Sequence, residues 1–126
     1  FLSVDDDNKM KLLPIAKKLE NLNFKIIATE GTSNFIKKHG IKVKKIKKVQ
    51  QGNPNIVDSL NKGNIDLVIN TTKSQASIRD SYSIRRTTLL NNIPYYTTIA
   101  GAKVAVDAIE ALKKEKLTIR SLQLIH

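Results

Sequence analysis

Short apolar segments alternate with helix-like segments along the whole chain, and most of the apolar segments end in polar residues. Runs of apolar and β-branched residues at 1–4, 24–28, 42–48, 66–70 and 93–97 are typical of short strands. Apolar residues at helical spacing follow each run, at 13–22, 34–39, 56–62, 82–91 and 103–114. Such alternation predicts an α/β fold, a parallel sheet with helices on both faces joined by right-handed crossovers.

Three boundaries are less regular. Pro14 interrupts the first helical pattern, so that helix is expected either to start near Leu13 or to be kinked there. Residues 73–80 are expected to form a loop or short turn before the fourth helix. Residues 117–125 alternate roughly between apolar and polar types and are expected to form a last short strand.

The second strand runs directly into Thr29-Glu30-Gly31-Thr32. Gly31 permits a tight turn or the close approach of a ligand, and Thr32 can cap a following helix. The N–H groups at the start of a helix bind anions well, so this turn is a candidate anion site. The alternative is a plain connection between strand and helix with no ligand.

Polar residues follow the carboxyl ends of all five strands. Parallel α/β sheets bind their ligands in the crevice beyond these ends, so we expect the side chains to converge there. Lysines and hydroxyls at a helix N-terminus suit a phosphate, and an adjacent amide and hydroxyls suit a ribose or base. The candidate residues are Ser3, Lys9, Thr29, Thr32, Lys48, Asn70, Thr71, Thr72, Thr97 and Thr98.

The charge is strongly positive, with a formal net charge of +11. Such a charge favours anionic partners. Eighteen of the basic residues are lysine and four are arginine, and aromatic residues make up 5% of the chain, so a nucleic-acid partner is not expected. The lysines at 42–48 are interpreted as an exposed edge strand, with a basic patch as the alternative.

The sequence lacks the residues that several kinds of metal-binding and catalytic site require. The chain has no cysteine, and His39 and His126 stand alone, so no metal site is expected. Neither a phosphate-binding loop, a dinucleotide fingerprint nor a nucleophile elbow occurs. Asp5, Asp6 and Asp7 suggest a solvated turn, and Asp80 is isolated, so no general base is evident and binding is favoured over catalysis. No membrane-spanning run or signal peptide is found, and a soluble, cytoplasmic domain is expected.

Taken together, these residues resemble a known family. The resemblance rests on Leu2-Ser3-Val4, Lys9, Ala28-Thr-Glu-Gly-Thr32, Lys48-Val49 with Gly52 and Pro54, Ile69-Asn-Thr-Thr72, Ile84-Arg-Arg86 and Tyr96-Thr-Thr98. In order and spacing they are similar to the C-terminal allosteric domains of carbamoyl-phosphate synthase large subunits, which are methylglyoxal synthase-like. The resemblance implies a flavodoxin-like three-layer sandwich with a five-stranded parallel sheet. It also implies that residues 1–126 are one regulatory domain excised from a longer chain, as the start within an apolar stretch at Phe1 suggests.

The resemblance also implies ligands and partners. Domains of this family bind UMP as an inhibitor and IMP as an activator at one site. Lys9, Thr29, Thr32 and Lys48 would hold the phosphate. The ribose or base would contact Ser3, Asn70, Thr71 and Thr72. The domain itself would need no cofactor. The parent enzyme would be a glutamine-hydrolysing ligase that uses ATP, Mg²⁺ and K⁺ to make carbamoyl phosphate for the arginine and pyrimidine pathways. Its synthetase domains, and through them the glutaminase small subunit, would be the partners.

Two segments depart from the family pattern. Members that respond to ornithine carry Tyr-Asp-Thr-Thr after the fifth strand, where this chain has Tyr95-Tyr96-Thr97-Thr98, which leaves Thr97 as the candidate ornithine contact. An Asn-Gly-Gly that often follows is replaced here by Ile99-Ala-Gly-Ala102.

The alternative within the family is methylglyoxal synthase itself, a lyase that acts on dihydroxyacetone phosphate. It shares the phosphate-binding turn. Its catalytic aspartate lies in the loop after the third strand, and that loop here, residues 51–55, has no acid. Arg79 stands where the lyase has a histidine before Asp80. A binding domain is therefore favoured over the lyase.

Overall fold

Five short strands form the centre of the fold. The computed structural model describes the backbone of residues 1–71 and 75–125, and the side chains of residues 1–71 and 78–117. The strands are β1 (Leu2–Ser3), β2 (Ile27–Ala28), β3 (Lys44–Lys45), β4 (Val68–Asn70) and β5 (Tyr95–Tyr96). They pair in the order β3-β2-β1-β4-β5, and every pair is parallel. The predicted α/β fold with a five-stranded parallel sheet is confirmed.

A helix follows each strand. The helices are α1 (Lys9–Asn21), α2 (Glu30–Lys38), α3 (Ile56–Asn61), α4 (Gln75–Leu90) and α5 (Ile99–Ile125). Two 3-10 turns, Asp6–Asn8 and Val49–Gln51, precede α1 and α3. Parallel neighbours require such crossovers, because a hairpin can join only antiparallel strands.

The helices divide between the two faces of the sheet because successive side chains of a strand point to opposite faces. Leu67 and Ile69 pack into a cluster with residues of α1, α2 and α5, whereas Val68 between them packs against α3 and α4. Leu2 packs into the first of these clusters and Phe1 into the second. The chain is therefore three layers thick, with one apolar core on each side of the sheet.

The lysine-rich strand lies at the edge of the sheet, as the sequence predicted. Lys44 and Lys45 of β3 are both exposed, and β3 pairs with β2 alone. Charged side chains on an edge strand oppose pairing with another chain, because each lysine ammonium would lose solvent.

Two helix boundaries differ from the expectations, and at a third the structure decides between the two alternatives. Helix α1 begins at Lys9 and runs through Pro14, so it does not start near Leu13. Helix α4 begins at Gln75, so the loop predicted for 73–80 is wrong from Gln75 onward; this segment has no glycine or proline to prevent helix formation. The strand predicted for 117–125 is also wrong. Helix α5 continues to Ile125, because residues 102–117 are strong helix formers and no breaker follows them.

None of the described helices, not even the 27-residue α5, combines the length and the apolar character that crossing a bilayer requires.

The core packing predicts a clear difference between two leucines on helices. Leu12 in α1 is 0% exposed and Leu89 in α4 is 70% exposed. Leu12→Ala should lower the free energy of unfolding by about 2–5 kcal/mol, because it removes buried methyl groups and leaves a cavity. Leu89→Ala, measured in the same urea titration, should change it by no more than about 0.5 kcal/mol. Equal effects of the two substitutions would contradict the assignment of the core.

Candidate functional site

A cavity lies at the carboxyl ends of β1, β2 and β4. Its volume is about 280 Å³, near the lower end of the roughly 300–1,000 Å³ found for small-molecule sites. Seven of the residues predicted for the site line it: Ser3, Lys9, Thr29, Thr32, Lys48, Asn70 and Thr71. The structure thus brings together residues that are up to 68 positions apart in the chain.

Lys9 is the first residue of α1, and its side chain reaches across to the start of α2. Its side chain is 19% exposed, and its ammonium pairs with the exposed Asp6 carboxylate. A methyl group placed on Gly31 would stand 3.4 Å from Lys9 Nζ. Gly31 therefore leaves room for the lysine to lie over the first turn of α2, where backbone N–H groups point at the cavity.

The hydroxyl-bearing turn after β2 differs in one respect from the expectation. Thr29 is the N-cap residue of α2, and Thr32 lies in its first turn rather than capping it. The Thr29 hydroxyl donates to Ser3 Oγ at 3.1 Å. The Thr32 hydroxyl accepts from the Val4 N–H at 3.1 Å, so it joins α2 to the end of β1. Both hydroxyls are buried and held in place by the protein itself.

Lys48 also lines the cavity. It follows β3, is half-buried, and its backbone N–H donates to Gln51 Oε1 at 2.9 Å. This bond closes the 3-10 turn and sets the direction in which the lysine leaves the backbone. Lys9 and Lys48 therefore line the same cavity, although 39 positions separate them in the sequence.

The end of β4 supplies an amide and a hydroxyl. Asn70 is buried, and its Nδ2 donates to Ser81 Oγ at 2.9 Å and to Tyr95 Oη at 3.1 Å. The Thr71 hydroxyl accepts from the Asp5 N–H and donates to Asp5 Oδ2, both at 3.0 Å. These bonds fix the orientation of both side chains before any ligand arrives.

The three remaining predicted residues are not in this set. Thr72 lies outside the described residues. Thr97 and Thr98 are exposed after β5 and are not among the residues that line the cavity. An ornithine contact at Thr97 would therefore belong to a separate site.

Three acids that the sequence analysis had not placed in the site, Asp5, Asp6 and Asp80, line the cavity. Asp5 is not simply part of a solvated turn, because it is half-buried and bonded to Thr71 and Asn8. Asp80 is buried in the cavity wall and was missed because α4 starts earlier than predicted. Burial raises the pKa of the Asp80 carboxyl, and the Lys48 ammonium partly offsets this. Asp80 is thus a buried carboxylate of the cavity that the sequence analysis did not identify as a candidate general base.

A larger groove of about 1270 Å³ lies at the amino ends of the strands. Lysines such as Lys25, Lys42 and Lys44 line it together with apolar side chains such as Phe24. It is a less suitable candidate site, because ligands of parallel α/β sheets bind beyond the carboxyl ends and because it lacks the converging hydroxyls of the smaller cavity.

In the described part of the chain, no group of three or more histidine or acidic side chains could hold a metal ion.

The family model for the MGS-like domain matches residues 11–97 of this chain. The chain therefore belongs to the family of MGS-like domains, and the resemblance inferred from the sequence is confirmed.

The similar curated proteins are carbamoyl phosphate synthase large chains. The chain is 46% identical to the C-terminal section of the large chain from Methanopyrus kandleri, over 99% of its own length and 23% of the relative's. It is 46% identical to the large chain from Methanobrevibacter smithii over 97% of this chain and 11% of that one. For Mesorhizobium japonicum the identity is 44%, over 98% of this chain and 10% of the relative. The chain thus spans a quarter or less of the length of these relatives.

A solved methylglyoxal synthase from Elizabethkingia anophelis shares the fold. The two superpose with a TM-score of 0.62 over 83% of this chain and 73% of that one, at 20% sequence identity. At this identity the likeness concerns the fold alone, and it agrees with the flavodoxin-like architecture.

The buried hydroxyl of Thr32 leads to a test of the site's construction. Thr32→Val should lower the free energy of unfolding by about 1–3 kcal/mol, because the buried Val4 N–H loses its acceptor. Thr32→Ser keeps the hydroxyl oxygen and should lower the free energy of unfolding clearly less. Urea titrations of the three proteins make the comparison, and a valine variant as stable as the serine variant would contradict the role of this bond.

Proposed function

We propose that this chain is the effector-binding regulatory domain of a carbamoyl phosphate synthase large chain. Its cavity binds a nucleoside monophosphate, UMP as inhibitor and IMP as activator. The observation that carries the proposal is the convergence of two lysines and two threonine hydroxyls on the cavity beside the N-terminus of α2.

These groups suit a phosphate for electrostatic reasons. The N-terminus of a helix carries a partial positive charge and unpaired N–H donors, and lysine ammonium groups add full charges. Lys9 belongs to α1 and Lys48 to the segment after β3, and both line the cavity, so a phosphate there would have two cations near it. Thr29 and Thr32 would complete its hydrogen bonds by turning their hydroxyl hydrogens toward it, away from Ser3 Oγ and the Val4 carbonyl oxygen.

The polar side chains at the ends of β1 and β4 suit the rest of a nucleotide. Ser3, Asn70 and Thr71 present hydroxyl and amide groups, which bond to a ribose or a base, and Thr72 follows them in sequence. Because Asn70 and Thr71 are already oriented by Ser81, Tyr95 and Asp5, little side-chain entropy is lost when they bind.

The rest of the proposed protein lies outside this chain. The relatives are about four to ten times longer than the segment that matches. The additional length would hold the ligase, with its ATP, Mg²⁺ and K⁺, and would contact the glutaminase subunit. The domain would need no cofactor of its own. Ornithine would contact Thr97, apart from the nucleotide.

A second candidate is a methylglyoxal synthase-type lyase acting on dihydroxyacetone phosphate. The buried Asp80 carboxyl favours it, because a carboxylate with a raised pKa in a phosphate cavity can act as a general base. Two features count against the lyase. Arg79 stands where the lyase has a histidine, and the loop at 51–55 lacks the acid that the lyase carries there.

The phosphate assignment predicts a specific loss of affinity. Lys48→Ala should weaken UMP and IMP binding by about 1.5–3 kcal/mol, or roughly 10- to 150-fold, because a charge-assisted hydrogen bond is lost. Isothermal titration calorimetry measures both ligands. Lys44→Ala is the matched control, since Lys44 is exposed on β3 and does not line the cavity. No binding of either nucleotide at millimolar concentration by the folded chain, or equal losses in the two variants, would contradict the proposal.

The lyase alternative predicts turnover. With dihydroxyacetone phosphate we expect no methylglyoxal above the buffer blank. Turnover that Asp80→Asn reduces by about 10²–10⁴-fold, the usual contribution of a general base, would instead establish the lyase. A coupled assay for methylglyoxal decides between the two, and circular dichroism of the variant controls for folding.

A further inference from the structure

The outer face of α4 is a continuous stripe of exposed side chains. The exposed positions recur at the spacing of one helix face, and the exposed fractions reach 73% for Tyr82, 70% for Leu89 and 74% for Leu90. Large apolar side chains that stand together in solvent mark a contact surface more often than scattered ones do. The stripe, called the α4 face below, consists of Arg79, Tyr82, Arg85, Arg86, Leu89 and Leu90.

The composition of this face is unlike that of the rest of the chain. The chain has 22 basic residues, of which four are arginine, and three of those four lie on the α4 face. Arginine and tyrosine are enriched at the centres of protein interfaces, whereas lysine is depleted there. A general bias toward lysine therefore does not explain the arginines here.

The charge of the α4 face is not compensated locally. No described carboxylate forms an ion pair with Arg79, Arg85 or Arg86. Asp80, the one acid of this helix, is buried on the opposite side. A second copy of the chain, with a net charge of +11, would be repelled. The complementary partner carries carboxylates around an apolar patch.

The same helix forms a wall of the cavity. Its inner side contributes Asp80, Ser81 and Ile84. Its outer side is connected to the cavity by contacts: the Arg85 guanidinium lies 6.0 Å from the centre of the Tyr95 ring, and Tyr95 Oη is 3.1 Å from Asn70 Nδ2. A partner on the α4 face would therefore rest on the helix that a bound nucleotide touches.

We propose that the α4 face is the docking surface for an acidic, partly apolar protein surface. This surface belongs to the remainder of the synthase chain. That identification of the partner rests on the proposed function. A nucleotide in the cavity and the synthetase portion would then contact opposite sides of one helix.

A protein fits the α4 face better than an anionic membrane does. Arg85 and Arg86 lie between Tyr82 and Leu89 along the stripe, so inserting the apolar side chains into lipid would carry two guanidinium groups with them. A membrane-binding helix instead keeps its cations on the polar flank. Carboxylates on a protein can pair with the arginines bidentately while the apolar side chains pack.

The test replaces the matching segment of the Methanobrevibacter smithii large chain with this chain and measures side-chain oxidation by hydroxyl-radical footprinting. Tyr82 should be oxidised about fivefold or more slowly in the fusion than in the isolated chain, because the centre of an interface excludes water. Met10, 65% exposed on α1, serves as the internal reference.

Two charge-reversal variants of the fusion distinguish docking from general charge. Arg79→Glu/Arg86→Glu should restore the rate of Tyr82 oxidation to that of the isolated chain, while Lys44→Glu/Lys47→Glu on the β3 edge should leave it slow. Arg85 is kept because it contacts Tyr95. Unchanged oxidation of Tyr82 in the fusion, or equal effects of the two variants, would overturn the proposal.

Two further measurements separate this proposal from its alternatives. Co-sedimentation of the isolated chain with phosphatidylserine vesicles, if lost in Arg79→Glu/Arg86→Glu, would overturn it in favour of a membrane. UMP titration of the isolated chain reports on the cavity independently. If Tyr82 is protected in the fusion but no nucleotide binds, the docking surface is supported and the nucleotide-binding function is contradicted. If a nucleotide binds but Tyr82 is not protected, the nucleotide-binding function is supported and the docking surface is contradicted.

Discussion

The register of the three central strands is the constraint on which the site depends. Leu2 of β1 is aligned with Ala28 of β2 on one side and with Ile69 of β4 on the other. Because the strands are parallel and in this register, the next residues, Ser3, Thr29 and Asn70, emerge side by side at one edge. A slip of one position would turn each of these side chains to the other face of the sheet. The apolar cores on both faces oppose the slip, since Leu2 and Ile69 would leave the cluster that they fill and would be forced into the packed cluster on the other face.

Hydrogen bonds within the protein then hold the emerging side chains in place. Thr32 binds the end of β1, Thr29 binds Ser3, and Thr71 binds Asp5. Each hydroxyl thus contributes to folding and is oriented for a ligand at the same time. A hydroxyl offers one donor and two acceptor positions, so a bond within the protein leaves capacity for a second partner. The Lys9 ammonium is held in a similar way, because it pairs with Asp6 and its side chain is largely buried.

Helix α4 contributes to both proposed sites, the nucleotide cavity and the α4 face. Its inner side is polar and faces the cavity, and its outer side carries arginine, tyrosine and leucine. A rigid helix with two such sides is a simple physical means by which two ligands can influence each other, because each can shift the same element. Regulation of this kind requires a difference in affinity between two states of that element.

The sequence by itself determined the order of strands and helices, the class of fold and most of the polar residues at the strand ends. It could do so because strand and helix periodicity are local, and because the carboxyl ends of parallel strands always meet at one edge. It misjudged residues 75–80, predicted as a loop, and residues 117–125, predicted as a strand, because each continues the helix beside it. The positions of Asp5 and Asp80 in the cavity, of Thr97 outside it and of three arginines on one exposed face could be seen only in the folded chain. For Asp80 and the arginines they depend on where helix α4 begins and how it is rotated against the sheet, and for Asp5 and Thr97 on how the segments after β1 and β5 pack, all of which involve contacts between distant parts of the chain.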